Sequence, residues 1–234
     1  EGHSTGVTDV AFSHRGDRVA TGSLNDGTVR IWSFVDGFGQ SEHITLSLKE
    51  NDAERSSGLS GGMNMNNRLQ RKTRGRDRTQ AYNLSWVCDD TRVITLQNVV
   101  HSDATRLKVW DSITGDLLRV VPAVCSKACK LLDPHPHNPS FLATGGDDGV
   151  LKVWDLENEE LVFAHSLKLP TAGHAAAAAA AEIPQASLSD LSFSQDGLHL
   201  VVSDSSGCIS LFLAWWALVR CWLRVGVERA RDPG

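Results

Sequence analysis

The stretch Asp148-Gly149-Val150-Leu151-Lys152-Val153-Trp154-Asp155 constrains this chain most, because it recurs. Asp26-Gly27-Thr28-Val29-Arg30-Ile31-Trp32 says nearly the same thing, and so does Arg106-Leu107-Lys108-Val109-Trp110-Asp111. A weaker fourth copy, Ser206-Gly207-Cys208-Ile209-Ser210-Leu211-Phe212, ends in Phe where the others have Trp. Each copy reads as a tight turn followed by a short alternating strand. A chain that repeats such a unit buries its apolar faces by setting neighbouring units against one another.

The unit is clearest near the start. Val7 to Phe12 alternates apolar and polar residues, as a half-buried strand does. Ser13 to Asp17 is a polar turn, and Arg18 to Gly22 a second strand. Asn25-Asp26-Gly27 favours positive φ and leads into a third strand, Thr28 to Trp32. The predicted arrangement is an antiparallel meander over 1–35. A second unit spans 81–120, with strands at Tyr82–Val87, Arg92–Leu96 and Leu107–Trp110 and a longer turn, His101 to Thr105. A third spans 121–165, with a Pro-rich turn at Asp133–Pro139 and strands at Phe141, Val150 and Glu160. A fourth spans 188–213. Two stretches break the pattern. Residues 36–80 hold a Ser/Gly-rich run and a basic end, and read as a disordered insertion. Residues 166–187 carry seven consecutive alanines, too few for a stable lone helix. Residues 214–234 form a divergent tail, whose apolar start suits a buried outer strand.

Composition narrows the function classes. Among 234 residues the net charge is -5, which argues against a dominant nucleic-acid footprint. Five scattered cysteines suit a reducing compartment better than a disulfide framework. No basic, apolar leader opens the chain, and it begins without Met in what reads as mid-unit, so it is expected to be a fragment. The apolar run after Phe212 is interrupted by Arg220 and Arg224, so no membrane span is expected.

Gly2-His3, Ala20-Thr21-Gly22-Ser23, Asn25-Asp26-Gly27 and Trp32 together resemble a WD repeat. The fold class implied is all-β: a partial WD-repeat β-propeller of about four blades with two long inserted loops. In such repeats a His, a Ser or Thr, an Asp and a Trp form a buried hydrogen-bonded set. By that resemblance unit one carries His3, Thr21, Asp26 and Trp32. Unit three carries Thr144, Asp148 and Trp154 without a Gly-His, unit two Trp110 with Asp103, and unit four Ser206 and Phe212. Units two and four are expected to be the less rigid. A narrower likeness rests on three features: the basic insertion ahead of Leu84-Ser85-Trp86, the run Leu107 to Leu118, and Leu191 to Gly197 followed by Ser203 to Gly207. Together these look like the C-terminal half of the propeller in the bromodomain and WD-repeat proteins. The bromodomains are absent here. The family resemblance implies a nuclear, chromatin-associated regulator of transcription, with links to cell shape and cytoskeletal organisation; the cytoplasm is the alternative location.

The candidate chemistry is that of binding. Cys125-x3-Cys129 followed by His135 and His137 fits no standard zinc spacing, so no metal and no cofactor is expected. No Gly-rich phosphate loop or acid–base pair at recognisable spacing is present, so neither enzyme activity nor a small-molecule substrate is expected. Arg68, Arg71, Lys72, Arg74, Arg76 and Arg78 read as a nuclear-localisation signal, a nucleic-acid contact or a solvated loop. Asp9, Asn25, Asp147 and Asp190 fall at corresponding places in first strands and turns. They would form an acidic rim suited to a basic peptide such as a histone tail. The expected role is a protein-interaction scaffold. The alternative is a WD-repeat substrate receptor of a cullin-type ubiquitin ligase. Its Trp-Asp-x-Arg signature fails here, because Ile113 and Glu157 occupy the fourth positions.

Overall fold

The computed structural model describes residues 2–23, 26–34, 43–47, 80–98, 105–167, 186–213 and 222–226. Among them every regular element is a β-strand. The first four-stranded antiparallel sheet comprises β1 (Val7–Phe12), β2 (Arg18–Ser23), β3 (Thr28–Ser33) and β4 (His43–Ser47). The second holds β5 (Gln80–Trp86), β6 (Arg92–Asn98), β7 (Thr105–Asp111) and β8 (Leu117–Cys125). The third holds β9 (Cys129–Pro134), β10 (Phe141–Gly146), β11 (Val150–Asp155) and β12 (Glu160–Ser166). The fourth holds β13 (Leu188–Phe193), β14 (His199–Asp204), β15 (Cys208–Leu213) and β16 (Trp222–Gly226). Each is a meander in chain order, and successive sheets contact one another through β1 with β5, β5 with β9, and β9 with β13. This is a β-propeller arc of four blades.

Two strands lie where the sequence reading put other things. β4 falls inside 36–80, which read as one insertion. It is five residues long, and pairing with β3 from Thr28–Ser47 to Trp32–His43 makes it a strand. β16 falls inside 214–234; the outer strand of the fourth blade comes at Trp222, not directly after Phe212. The basic cluster Arg68–Arg78 and the alanine run lie outside the described residues, as do Asn25 and Asp103.

The core lies between blades. Ala20, Val29, Ile31 and Leu46 of the first blade close over Leu84, Trp86, Val93 and Trp110 of the second. Ile94, Leu96, Leu107 and Val109 meet Leu132, Leu142 and Trp154 of the third. Ala143 and Leu151 meet Leu188, Leu191, Leu200 and Phe212 of the fourth. The alternation that marked each strand in the sequence therefore gives every blade one face toward its predecessor and one toward its successor.

Candidate interaction surface and the turns that build it

Strand pairing aligns the four blades residue by residue. Val10 faces Thr21 in the first blade, Leu84 faces Thr95 in the second, Leu132 faces Thr144 in the third, and Leu191 faces Val202 in the fourth. In the first three blades the threonine hydroxyl accepts the indole N–H of the third-strand tryptophan. Trp32 Nε1 lies 2.9 Å from Thr21 Oγ1, Trp110 Nε1 3.0 Å from Thr95 Oγ1, and Trp154 Nε1 3.0 Å from Thr144 Oγ1. Thr95 was not singled out from the sequence. Its signal was its place, since Val93-Ile94-Thr95 matches Val19-Ala20-Thr21 and Leu142-Ala143-Thr144.

The first blade completes the set. His3 Nδ1 is 2.9 Å from Asp26 Oδ2, and His3 Nε2 is 2.8 Å from Thr21 Oγ1. With the imidazole proton on Nδ1, it is donated to the carboxylate, and Nε2 accepts the threonine hydroxyl. This tautomer is assigned because it leaves each group with a role: indole to hydroxyl, hydroxyl to imidazole, imidazole to carboxylate. Asp26 also accepts the backbone N–H and hydroxyl of Thr28 at 2.9 and 2.7 Å, and Ser4 N–H at 3.3 Å. Burial pushes the Asp26 carboxyl upward, but the bonds from Thr28 and His3 outweigh it and hold the group below its usual range.

In the third blade Asp148 is held differently. Ser126 N–H donates to Asp148 Oδ2 at 3.1 Å, the counterpart of the Ser4 bond. That match puts Cys125 where His3 stands in the first blade. Asp148 also accepts Val150 N–H at 3.2 Å and has the Lys152 ammonium at 3.6 Å, which itself donates to Val124 O at 2.7 Å. The imidazole's place at the carboxylate is taken by the Ser126 hydroxyl, 3.3 Å from Asp148 Oδ2, and the Lys152 ammonium. Its neighbour Cys129 and burial push the Cys125 thiol up, which disfavours the thiolate. Cys129 opens β9 and His135 follows its end, about 20 Å away at strand rise, so the Cys and His pairs do not share a site.

The fourth blade drops the set together. Phe212 replaces Trp, Val202 replaces Thr and Ser206 replaces Asp, so neither the indole donor nor its acceptor remains. Its turn is tied by Asp204 instead, which accepts Ser206 N–H at 2.9 Å, Cys208 N–H at 3.1 Å and the Ser206 hydroxyl.

The rim acids lie in three different settings. Asp9 is half-buried between blades: its Oδ2 accepts Leu84 N–H of the second blade at 2.7 Å, and its Oδ1 accepts Val10 N–H at 2.9 Å. Burial pushes its carboxyl up, against the pull of those two N–H groups. Asp147 pairs with Lys130 Nζ at 2.9 Å in a partly exposed bridge. Asp190 is exposed and takes Leu191 N–H at 2.9 Å. Asp9 and Asp190 hold equivalent positions in β1 and β13, and Asp147 lies in the turn after β10.

The opposite ends of the blades are stapled by features the sequence did not announce. Asp90, at positive φ (59°) and buried, accepts His14 N–H at 2.8 Å, His14 Nδ1–H at 2.9 Å and Arg15 N–H at 2.9 Å from the first blade. Burial raises its carboxyl, but these donors from His14 and Arg15 outweigh that and lower it. Arg18 lies over the Trp86 ring at 4.9 Å and donates to Asp90 O at 2.9 Å. Between the third and fourth blades, His135 Nε2–H donates to Gly197 O at 3.0 Å.

Comparison with known proteins agrees with the repeat. The WD domain, G-beta repeat family matches residues 1–33 and 127–155, the two units with an Asp-Gly turn and a Trp. The chain is 25% identical over 207 residues to a bromodomain and WD repeat-containing protein of Dictyostelium discoideum, covering 88% of this chain and 8% of that protein. It is 25% identical over 155 residues to a ribosome biogenesis protein, a WDR12 homolog, of Arabidopsis thaliana, covering 66% and 32%. It is also 25% identical over 182 residues to a protein named for the coatomer beta' subunit in Schizosaccharomyces pombe, covering 74% and 17%. The chain spans less than a third of the length of each of these relatives. Its WD-type units assemble as consecutive blades of a β-propeller.

Proposed function

We propose that this chain belongs to a non-catalytic protein-interaction scaffold in a chromatin-associated regulator of transcription, acting in the nucleus. The supporting observation is the likeness to the bromodomain and WD repeat-containing protein, which runs through 88% of the chain, against 66% and 74% for the ribosome biogenesis and coatomer relatives named above. The binding face is the blade end that carries Asp147 and Asp190, and its ligand is a basic peptide of histone-tail type. Asp190 presents an exposed carboxylate. Asp147 is partly exposed, and a cationic ligand competes with Lys130 for it. Single exposed pairs contribute about 0–1 kcal/mol, so recognition rests on several charges together and weakens with salt. Asp9 supports the face by fixing the first blade to the second.

The test is titration of a fluorescent Lys/Arg-rich tail peptide at two salt concentrations. Asp147→Lys combined with Asp190→Lys should weaken binding several-fold at low salt while leaving the melting temperature close to that of the parent. Unchanged affinity would remove this face, and the basic residues Arg68–Arg78 would be next to test, with an acidic ligand.

A further inference from the structure

The turns that link the first and second strands of each blade also tie neighbouring blades together, and the three ties differ in chemistry. Between the first and second blades, His14 Nδ1–H donates to Asp90 Oδ1 at 2.9 Å, with the backbone N–H groups of His14 and Arg15 beside it. Between the second and third, Arg92 Nη2–H donates to Pro139 O at 3.2 Å. Between the third and fourth, His135 Nε2–H donates to Gly197 O at 3.0 Å.

The two histidines are bound in opposite senses. The His14 ring is half exposed and faces a buried carboxylate, so its Nδ1–H bond survives whether or not Nε2 takes up a second proton. Burial raises the Asp90 carboxyl, but the bonds from His14 and Arg15 outweigh that and keep it ionised in mild acid. His135 is 3% exposed, and both its ring nitrogens are engaged. Nδ1 accepts the backbone N–H groups of His137 at 3.1 Å and Asn138 at 2.9 Å, so the ring proton is on Nε2. A second proton would displace both N–H groups and bury a charge. The ring also packs edge-on against Phe193 at 5.1 Å and fills the space that a Cβ on Gly197 would need, 2.4 Å from Nε2. Around it, His137 lies edge-on at 6.2 Å and opposes a second positive charge. The carboxylates of the packed segments have bonds elsewhere. Asp133 accepts Phe193 N–H at 2.6 Å, and Asp190 accepts Leu191 N–H at 2.9 Å. Asp196 accepts the Ser194 hydroxyl and Leu198 N–H, with His199 Nδ1 at 3.8 Å. Burial holds the His135 imidazole below its ordinary 6.5, against the bond to Gly197 O.

We infer that His135 makes the joint between the third and fourth blades acid-labile, while the joint between the first and second holds. Above about pH 6.5 the ring is neutral whether the joint is open or closed, and the joint has its full stability. Below that, the opened joint takes up a proton that the closed one refuses, so stability is lost as pH falls toward the folded-state value. Acid therefore frees the fourth blade at β13 and the turn after it, and leaves the first two blades docked.

Hydrogen–deuterium exchange of the 234-residue chain, read by mass spectrometry at pH 7 and pH 5 and corrected for the intrinsic pH dependence of exchange, tests this. Protection over 188–213 should fall at least about fivefold between the two, and protection over 7–23 should not change. His135→Gln, whose amide still donates to Gly197 O and does not titrate, should abolish the fall. His14→Gln should leave it in place. If His135→Gln fails the circular-dichroism check for folding, His135→Asn, which keeps an acceptor for the turn, replaces it. The parent chain labelled with 15N-histidine gives a readout that needs no variant: His135 should show the neutral Nε2–H form at pH 6. Equal protection at the two pH values, a fall spread evenly over all four blades, a fall that persists without His135, or a doubly protonated His135 at pH 6 would overturn the inference.

Discussion

In the first blade Trp32, Thr21, His3 and Asp26 form an unbroken relay of hydrogen bonds. In the fourth blade the same registers hold Phe212 and Val202, with Ser206 in the turn, and no relay exists. Both blades nevertheless pair four strands in the same order. The difference teaches that the indole donor and its threonine acceptor are kept or discarded together. Removing one partner leaves a buried group unsatisfied at about 1–3 kcal/mol, while replacing both with apolar groups is close to neutral. The third-strand position opposite the threonine follows the same rule: Arg30, Lys108 and Lys152 in the first three blades, Ser210 in the fourth. The third blade lies between these extremes, with Cys125 in the histidine place and its aspartate held by Ser126 and Lys152.

The comparison breaks most visibly at the turn carboxylate. Asp148→Ala removes the acceptor of Ser126 N–H and Val150 N–H and the counter-charge of a mostly buried Lys152. A loss of roughly 3 kcal/mol is expected, the scale for breaking a buried pair from one side. Ser206→Ala, at the matching turn of the fourth blade, removes only a hydroxyl donor from an exposed residue and should cost well under about 1 kcal/mol. Urea unfolding midpoints of the two variants check the ranking; equal shifts would mean the polar set contributes nothing beyond an ordinary turn.

A smaller effect sharpens that link between donor and acceptor. Thr21→Val should cost about 2 kcal/mol, because both the Trp32 indole and the His3 ring lose the hydroxyl. Adding Trp32→Phe, which copies the fourth blade's Val and Phe, should cost less in that background than in the parent. A coupling of about 1 kcal/mol in the double-mutant cycle is expected. In the fourth blade the reverse change, Val202→Thr, buries a hydroxyl where Phe212 supplies no indole N–H and should destabilise by itself.

The blades were legible because turns and alternating strands are local. Val7–Phe12 matches β1 residue for residue, and the third strand of every unit appears where its apolar alternation put it. β4 and β16 were not, because an outer strand of five residues is defined by what it pairs with. Thr21, Asp26 and Trp32 stood out in the sequence because they lie within one hairpin, β2, its turn and β3. Thr95 was passed over because the turn beyond it departs from the pattern, although its own strand does not. Asp9 shows the limit of spacing as a guide. Its position matches Asp190, yet one carboxylate ties two blades and the other is exposed. Asp90 and His135 act across blades through distant chain segments, so no local pattern announced them.

The smallest effect is one of acidity, and it opposes two carboxylates of the first blade. Asp26 has its folded-state pKa below the reference 3.8, since bonds from Thr28 and His3 overcome burial. It therefore contributes stability that is fully present above the unfolded pKa and is lost as pH falls through the folded value. Asp26→Ser, which copies the fourth blade's Ser206, should lower stability at pH 6 and flatten its decline below about pH 4. Asp9 runs the other way. Burial raises its folded pKa above 3.8 despite the N–H groups of Leu84 and Val10. A raised carboxyl favours the folded state while protonated, and that benefit fades as pH rises through the folded value. Asp9→Asn should therefore steepen the net acid decline slightly, because the group that partly offsets Asp26 is gone. The check is the unfolding midpoint of the parent and both variants between pH 3 and pH 6. Slopes that change in the same direction for the two variants would mean the relay and the inter-blade tie titrate alike, and would remove the distinction between them.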